Sequence, residues 1–396
     1  MKLLMARMTR VMKVSAGAAI LAAGLILGVA TNLPAASVPD IKSSPIQNQV
    51  LIAGGEDAPG DALDTAELYN PNLQTFTLVT STMSDPRIYH TCTRINGKVL
   101  LITGGENSST TALGSADLFT VKGLTLTPTH EMMVSAHSRQ VAMLTKSGKV
   151  LIAGGIDDTG AVTGVAENFK DDSKGGTFTA TANPLRTKRE FATATKIKGG
   201  LVLIAGGTDP NGLVLQNAEI FNIAKGTFNY TLGNMVVRRT NHTATLLKNG
   251  NVLITGGYNS NGVPLSAAEL FNPSTRTFTA VGSMNFARAQ HTATLLQGGR
   301  VFIAGGVGTS KILASAEIYD PTTGTFTTVG PTMTDSRAGH TATLLNNGTV
   351  LIAGGADQAG AIVATAEIYN PAGSSSFKAT GSMNSPRLYH TAVLIK

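Results

Sequence analysis

The sequence predicts an all-β fold, a seven-bladed β-propeller of four-stranded blades whose ring is closed by the C-terminal strand, and three observations carry that prediction. A Val-Leu-Ile-Ala-Gly-Gly string or near copy recurs seven times, with its first glycine at Gly54, Gly104, Gly154, Gly206, Gly256, Gly305 and Gly354. The spacings are 50, 50, 52, 50, 49 and 49 residues, a period that suits a propeller, whereas helical solenoids repeat at shorter intervals with a 3.6-residue pattern. Composition agrees, since 14% charged residues and 44 glycines exclude a charged disordered chain and a long charged coiled coil.

From the N-terminus, residues 1–36 read as a signal peptide or signal anchor and 37–49 as a linker, which leaves 50–396 for the propeller. Lys2, Arg7, Arg10 and Lys13 precede an apolar run from Val14 to Ala30, and small residues follow. That run is at the lower limit for spanning a bilayer, so an uncleaved anchor is the alternative to cleavage. No cysteine follows it for lipid attachment, and the single Cys92 can form no internal disulfide. Export therefore asks for a fold without covalent staples. A secreted, periplasmic or cell-surface location is expected.

Within a repeat, the first strand is His-Thr-Ala-Thr-Leu-Leu or a variant, as at His242 to Leu247. The second is the Gly-Gly strand, whose unbroken apolar run suits coverage on both faces. The third reads Ala-Glu-Ile-Tyr or close to it, starting at Ala66, Ala116, Ala166, Ala218, Ala268, Ala316 and Ala366. The fourth centres on Thr-Phe-Thr, with Leu126 replacing phenylalanine in one repeat. Asn-Gly or Ser-Gly pairs such as Asn249-Gly250 predict tight hairpins between the first two strands. Asp57, Asp157, Asp209, Asn259 and Asp357, each with glycine three positions on, predict type I turns after the double glycine. Calcium would need several oxygens converging, and each turn offers one dependable carboxylate, so no metal is expected there.

The repeats begin with a second strand at Val50 and finish with a lone first strand, His390 to Lys396. Pairing the two closes the ring and leaves neither with an open edge. The double glycine, the Glu-x-Tyr or Glu-x-Phe third strand and the Arg-x-x-His lead into the first strand resemble kelch repeats from Val50 to Lys396. The departure is phenylalanine on the fourth strand, where the kelch pattern has tryptophan. Kelch propellers include enzymes and binding scaffolds, so the resemblance implies a fold and not an activity.

Two recurring side chains precede the first strand, which the resemblance makes the innermost: Arg87, Arg189, Arg239, Arg288, Arg337 and Arg387, and three positions later His90, His242, His291, His340 and His390. Ala192 replaces one histidine, and the remaining copy reads His137 and Gln140. Every third strand carries an acid (Glu67, Asp117, Glu167, Glu219, Glu269, Glu317, Glu367), which points to buried inter-blade pairs, with a cationic ring holding an anionic ligand as the alternative. The coincidence of the shorter Asp117 with the lead-in bearing His137 suggests that acid and partner changed together. Tyr89-His90 and Tyr389-His390 resemble the Tyr-His pair by which galactose oxidase and its relatives hold copper. Those enzymes also need a cysteine crosslinked to a second tyrosine, and Cys92 is the only cysteine. No GxSxG, HExxH, CxxC or phosphate-loop motif occurs.

The formal charge of +7 falls once residues 1–30 are removed, leaving 27 basic against 24 acidic side chains, too little net charge to predict a nucleic acid or an anionic membrane as partner. Membrane contact is expected only through an uncleaved anchor. The expectation is a monomeric, exported, non-enzymatic module without cofactor that binds a glycan or protein through the face bearing the lead-ins, where Tyr89 and Tyr389 also lie. The alternative is a secreted enzyme on the same fold, a copper oxidase or a sugar mutarotase.

Overall fold

A computed structural model describes residues 48–172, 174–372 and 375–396. The expected signal segment and most of the linker lie outside the described residues. Seven antiparallel four-stranded sheets follow one another along the chain. Blade 2 runs Thr91–Arg94, Val99–Thr103, Ala116–Thr120 and Thr125–Pro128, and blades 3 to 7 repeat this order. Blade 1 is composite: Thr391–Leu394 pairs with Val50–Ala53, followed by Ala66–Asn70 and Thr75–Leu78. The register Val50 to Leu394 and Ala53 to Thr391 is the ring closure read from the sequence. Consecutive first strands neighbour one another all round, including Thr391–Leu394 beside Thr91–Arg94, so they form the inner wall.

The second strands are buried throughout, as their apolar runs require. Each interblade core joins adjacent sheets; between blades 1 and 2 it contains Leu51, Leu68, Leu100, Ile102 and Phe119. Third and fourth strands meet through a registered aromatic pair, Phe221 with Phe228 at 4.6 Å and Tyr319 with Phe326 at 4.9 Å. Phenylalanine therefore fills the tryptophan position without changing topology, each pair contributing about 0.5–1.5 kcal/mol beyond burial. In blade 2 the pair is Phe119 with Leu126.

Two local expectations are corrected. The first strands begin one residue after the histidine, as at Thr243–Leu246, because the residue before it has left-handed backbone (Asn241, φ 53°) and bends the chain. The hairpins are longer than two-residue turns: Leu247 and Asn251 close a three-residue loop in which Gly250 takes φ 90°. Four of the five turns after the double glycine match the sequence, with Asp209 Oδ1 accepting the backbone N–H groups of Asn211 and Leu213 at 2.8 and 2.9 Å. The turn expected at Asp57 is corrected, because Glu56–Ala58 pairs as a short strand with Asp61–Ala62 and the Gly60 N–H donates to Glu56 Oε2 at 2.9 Å.

The meander sorts the connections. Lead-in loops to the first strands and loops between second and third strands share one face, the upper; turns joining strands one to two and three to four share the lower.

Candidate functional site

The upper face is built on six buried arginine–carboxylate ion pairs and one buried histidine–glutamate contact. Arg87 meets Asp117 at 2.7 Å, Arg189 Glu219 at 2.9 Å, Arg239 Glu269 at 2.8 Å and Arg288 Glu317 at 2.9 Å. Arg337 meets Glu367 at 3.2 Å, Arg387 Glu67 at 2.9 Å and His137 Glu167 at 3.0 Å. All six arginines are 0 or 1% exposed. The pairs lie within blades and not between them: each arginine reaches from a lead-in loop to the third strand of the blade that loop enters. The interblade tie is made by backbone, since the Gly257 N–H of blade 5 donates to the Arg288 carbonyl at 2.9 Å.

The supposed exchange of Asp117 and His137 is also corrected. Asp117 belongs to Arg87, and Ser84 Oγ supplies an extra bond to the shorter carboxylate at 3.0 Å. His137 takes the arginine's place opposite a full-length glutamate, with Nδ1 on the Gly154 carbonyl at 2.7 Å and Nε2 on Glu167. Elsewhere an arginine Nη1 donates to the matching carbonyl, as Arg288 does to Gly305 at 2.7 Å.

The five histidines form a second belt. Each Nε2 bonds the first-strand threonine of the preceding blade: His242 to Thr193, His291 to Thr243 and His340 to Thr292 at 3.0 Å, His390 to Thr341 and His90 to Thr391 at 2.9 Å. Where Ala192 replaces the histidine, Val141 occupies the threonine position, so both members of one pair became apolar together. That joint change marks the contact as packing. Burial and the neighbouring arginines push His90, His340 and His390 down to about 3 and hold His242 and His291 well below the usual range. At five of the seven pairs these rings also crowd the first glycine: at Gly256 (φ +61°) a Cβ would lie 2.3 Å from the Arg288 carbonyl and 2.7 Å from His291 Cε1.

Between the two belts, one residue per blade faces the mouth of the channel. Tyr89, Arg139, Phe191, Asn241, Gln290, Gly339 and Tyr389 all have φ between 52° and 64°. Successive backbone bonds link them: Arg139 N–H to Tyr89 O at 3.2 Å, Phe191 to Arg139 at 3.1 Å, and so on to Tyr389 N–H on Gly339 O at 3.1 Å. The backbone of this ring is uniform and its side chains differ in nearly every blade. Seven non-helical left-handed residues, six of them non-glycine, are costly and mark a position held by its surroundings.

The side chains interlock. Tyr89 packs on Tyr389 with centroids 4.4 Å apart and meets Phe191 edge-on at 5.7 Å. The Arg139 guanidinium lies over both Tyr89 and Phe191, at 5.4 and 5.2 Å. It also bridges Glu106 at 3.2 Å and Glu190 at 3.0 Å. Tyr389 Oη donates to Gln290 Oε1 at 3.4 Å. This reach depends on Gly339, where a Cβ would lie 2.8 Å from Tyr389 Cε1. Burial, helped by Tyr389 and the carboxylates, pushes the Tyr89 phenol well above its ordinary range. Burial also raises Glu106, against the opposing pull of Arg139 and Ser138. Arg139, Phe191, Glu106, Glu190 and Gln290 lie outside the residues expected from the sequence, since no residue type repeats throughout at their positions. Their signal in the sequence is only that the two positions between the lead-in arginine and histidine, and the one after the double glycine, change from blade to blade.

The Tyr-His pairs do not fit a copper centre. His90 and His390 are committed to Thr391 and Thr341 in the belt, while Tyr89 and Tyr389 belong to the mouth. Cys92 packs against the core between blades 1 and 2, its thiol pushed up to about 12 by burial. Among the described residues no three His, Cys, Asp or Glu side chains converge to hold a metal.

A fungal alcohol oxidase with catalytic diversity in the AA5 family, solved in complex with copper, is similar in fold: TM-score 0.65 and 17% identity over 84% of this chain and 71% of that one. At that identity the likeness concerns architecture alone. No curated protein matches the sequence. Residues 191–396, about half of the chain, match the KLHDC2/KLHL20/DRC7 Kelch-repeats domain, and the chain belongs to this kelch-repeat family.

Proposed function

We propose that this protein is an exported, non-enzymatic recognition module that binds a glycan, or a protein presenting one, at the upper mouth of the channel. The observation that carries the reading is the ring of seven left-handed positions, fixed in backbone and varied in side chain. Such a ring lets one scaffold display a particular set of contacts at a single place. Its composition suits a neutral sugar. Tyr89 and Tyr389, both partly exposed, offer apolar surface to sugar C–H groups, and the amides of Asn241 and Gln290 offer directional partners to hydroxyls. An anionic ligand would meet three buried carboxylates, Glu56, Glu106 and Glu190, against the one cation Arg139. The six predicted arginines and five histidines support this site from beneath, since they are buried and their Nη and Nε2 atoms bond within the fold.

The test is a glycan array probed with the wild-type chain and with Tyr89→Ala, folding being checked by melting temperature. Selective binding that disappears in a folded Tyr89→Ala protein is expected. Binding that survives the substitution, or hydrogen peroxide production or faster anomer exchange with sugars, would replace this reading with a different site or with an enzyme.

A further inference from the structure

The small net charge conceals a strong separation between the two faces. On the lower face, the hairpins between first and second strands carry Lys98, Lys146, Lys149, Lys198, Lys248 and Arg300, all exposed. Arg94 and Lys196 stand at the strand ends beside them, with Lys396. The turns between third and fourth strands add Lys122, Lys170, Lys174, Lys225 and Arg276. These 14 basic side chains face three acids, Asp171, Asp172 and Asp320. Setting aside the seven buried pairs, the upper connections carry 13 acids against Arg139, Arg186, Lys188, Arg238 and Lys311. The protein is thus basic below and acidic above, and only the sum is near neutral. Charge of one sign spread over a whole face attracts an extended opposite surface more than a small ion.

The polypeptide also reaches the propeller from this basic face. The Asn48 N–H donates to the Ile395 carbonyl, and the Ile395 N–H to the Gln49 carbonyl, both at 2.8 Å. Asn48 Oδ1 further accepts a bond from Asn346 Nδ2 on the hairpin of blade 7. The 47 residues that precede this point contain the apolar run Val14 to Ala30 with four basic residues before it. A segment with the composition of a bilayer-directed sequence is therefore joined by a short linker to the face that carries the positive charge. We propose that the lower face docks on an anionic lipid bilayer, leaving the acidic upper face and its channel mouth turned toward the surroundings. Eleven of the 14 basic groups are lysines, point charges suited to diffuse attraction, where reading a nucleic acid favours the arginine fork.

Because the ring closes within residues 48–396 and holds its own cores, residues 46–396 serve for the test without the apolar run. Sedimentation with phosphatidylcholine vesicles, with and without phosphatidylglycerol, should show binding only to the anionic vesicles. It should be lost between about 0.1 and 0.5 M salt. Replacing exposed turn residues together, Lys98→Glu, Lys149→Glu, Lys198→Glu and Arg300→Glu, should weaken binding by roughly 100-fold or more, at about fivefold for each charge removed near an anionic bilayer. If that variant fails to fold, the salt titration of the parent decides. Equal binding to both vesicle types, no loss with salt, or binding to duplex DNA without binding to anionic vesicles would overturn the proposal.

Discussion

Replacing Arg288 with leucine tests whether the buried arginines hold the upper face together. The guanidinium donates to the Gly305 carbonyl at 2.7 Å, the Ser315 carbonyl at 3.1 Å and Glu317 at 2.9 Å. Leucine keeps much of the apolar stem and removes these bonds together with a fourth, to Ser315 Oγ at 3.4 Å. Glu317, itself fully buried, retains the backbone N–H groups of Asn285 and Phe286 at 2.7 and 3.0 Å but loses its only cation. Removing one partner of a buried pair costs about 3–5 kcal/mol, because the remaining charge stays desolvated. The Gly305 carbonyl, left without its donor, places the loss at the upper part of that range, while the Ser315 carbonyl keeps the Gly305 N–H at 3.1 Å. The assay is chemical denaturation of wild type, Arg288→Leu, Glu317→Leu and the double variant. The double should be less destabilised than the two singles summed, since no lone charge remains. A loss under about 1 kcal/mol for Arg288→Leu, or strict additivity, would refute the assignment.

Three further outcomes follow from the same geometry. Truncation before His390 removes the inner strand of blade 1 and exposes the edge of Val50–Ala53, so the melting temperature should fall sharply; an unchanged melt would contradict the closure. The five belt histidines titrate in the folded state far below the 6.5 of the unfolded chain, so their contribution is complete above pH 6.5. It is lost as pH falls from 6.5 toward 3, because the unfolded chain takes up protons first. Melting temperatures should decline over that window, and less steeply in a His340→Gln variant. Gly339→Ala places a Cβ 2.6 Å from Leu388 Cδ1 in a left-handed backbone. About 1–2 kcal/mol of stability should be lost, with Tyr389 displaced in the near-ultraviolet dichroism spectrum.

The architecture was legible because it is written seven times: the Gly-Gly strands, the closing strand and the acid on each third strand all repeat with fixed spacing. Partner assignment within the repeat was less so. The Asp117 and His137 anomalies stand close in sequence, yet each is absorbed by a different blade, by Ser84 in one case and by Glu167 in the other. The histidine belt was visible as a repeat, but its packing role depends on a threonine one blade away, and only Val141 with Ala192 betrays that link. The channel mouth was hidden for the opposite reason. Tyr89, Arg139 and Phe191 share nothing but a backbone conformation, which no residue pattern announces when six of the seven are not glycine. The division of charge between the faces required knowing which turns lie together.

In the proposed function the varied ring at the channel mouth recognises the ligand, while the arginine and histidine belts only support it. The most direct measurement pairs a binding titration with a thermal melt for two variants, Tyr389→Ala in the ring and His291→Gln in the belt, against a glycan bound by the parent protein. Tyr389→Ala should lose at least tenfold in affinity with nearly unchanged stability, and His291→Gln should melt lower while binding normally below its transition. Unimpaired binding by Tyr389→Ala, or abolished binding by a folded His291→Gln protein, would contradict the account.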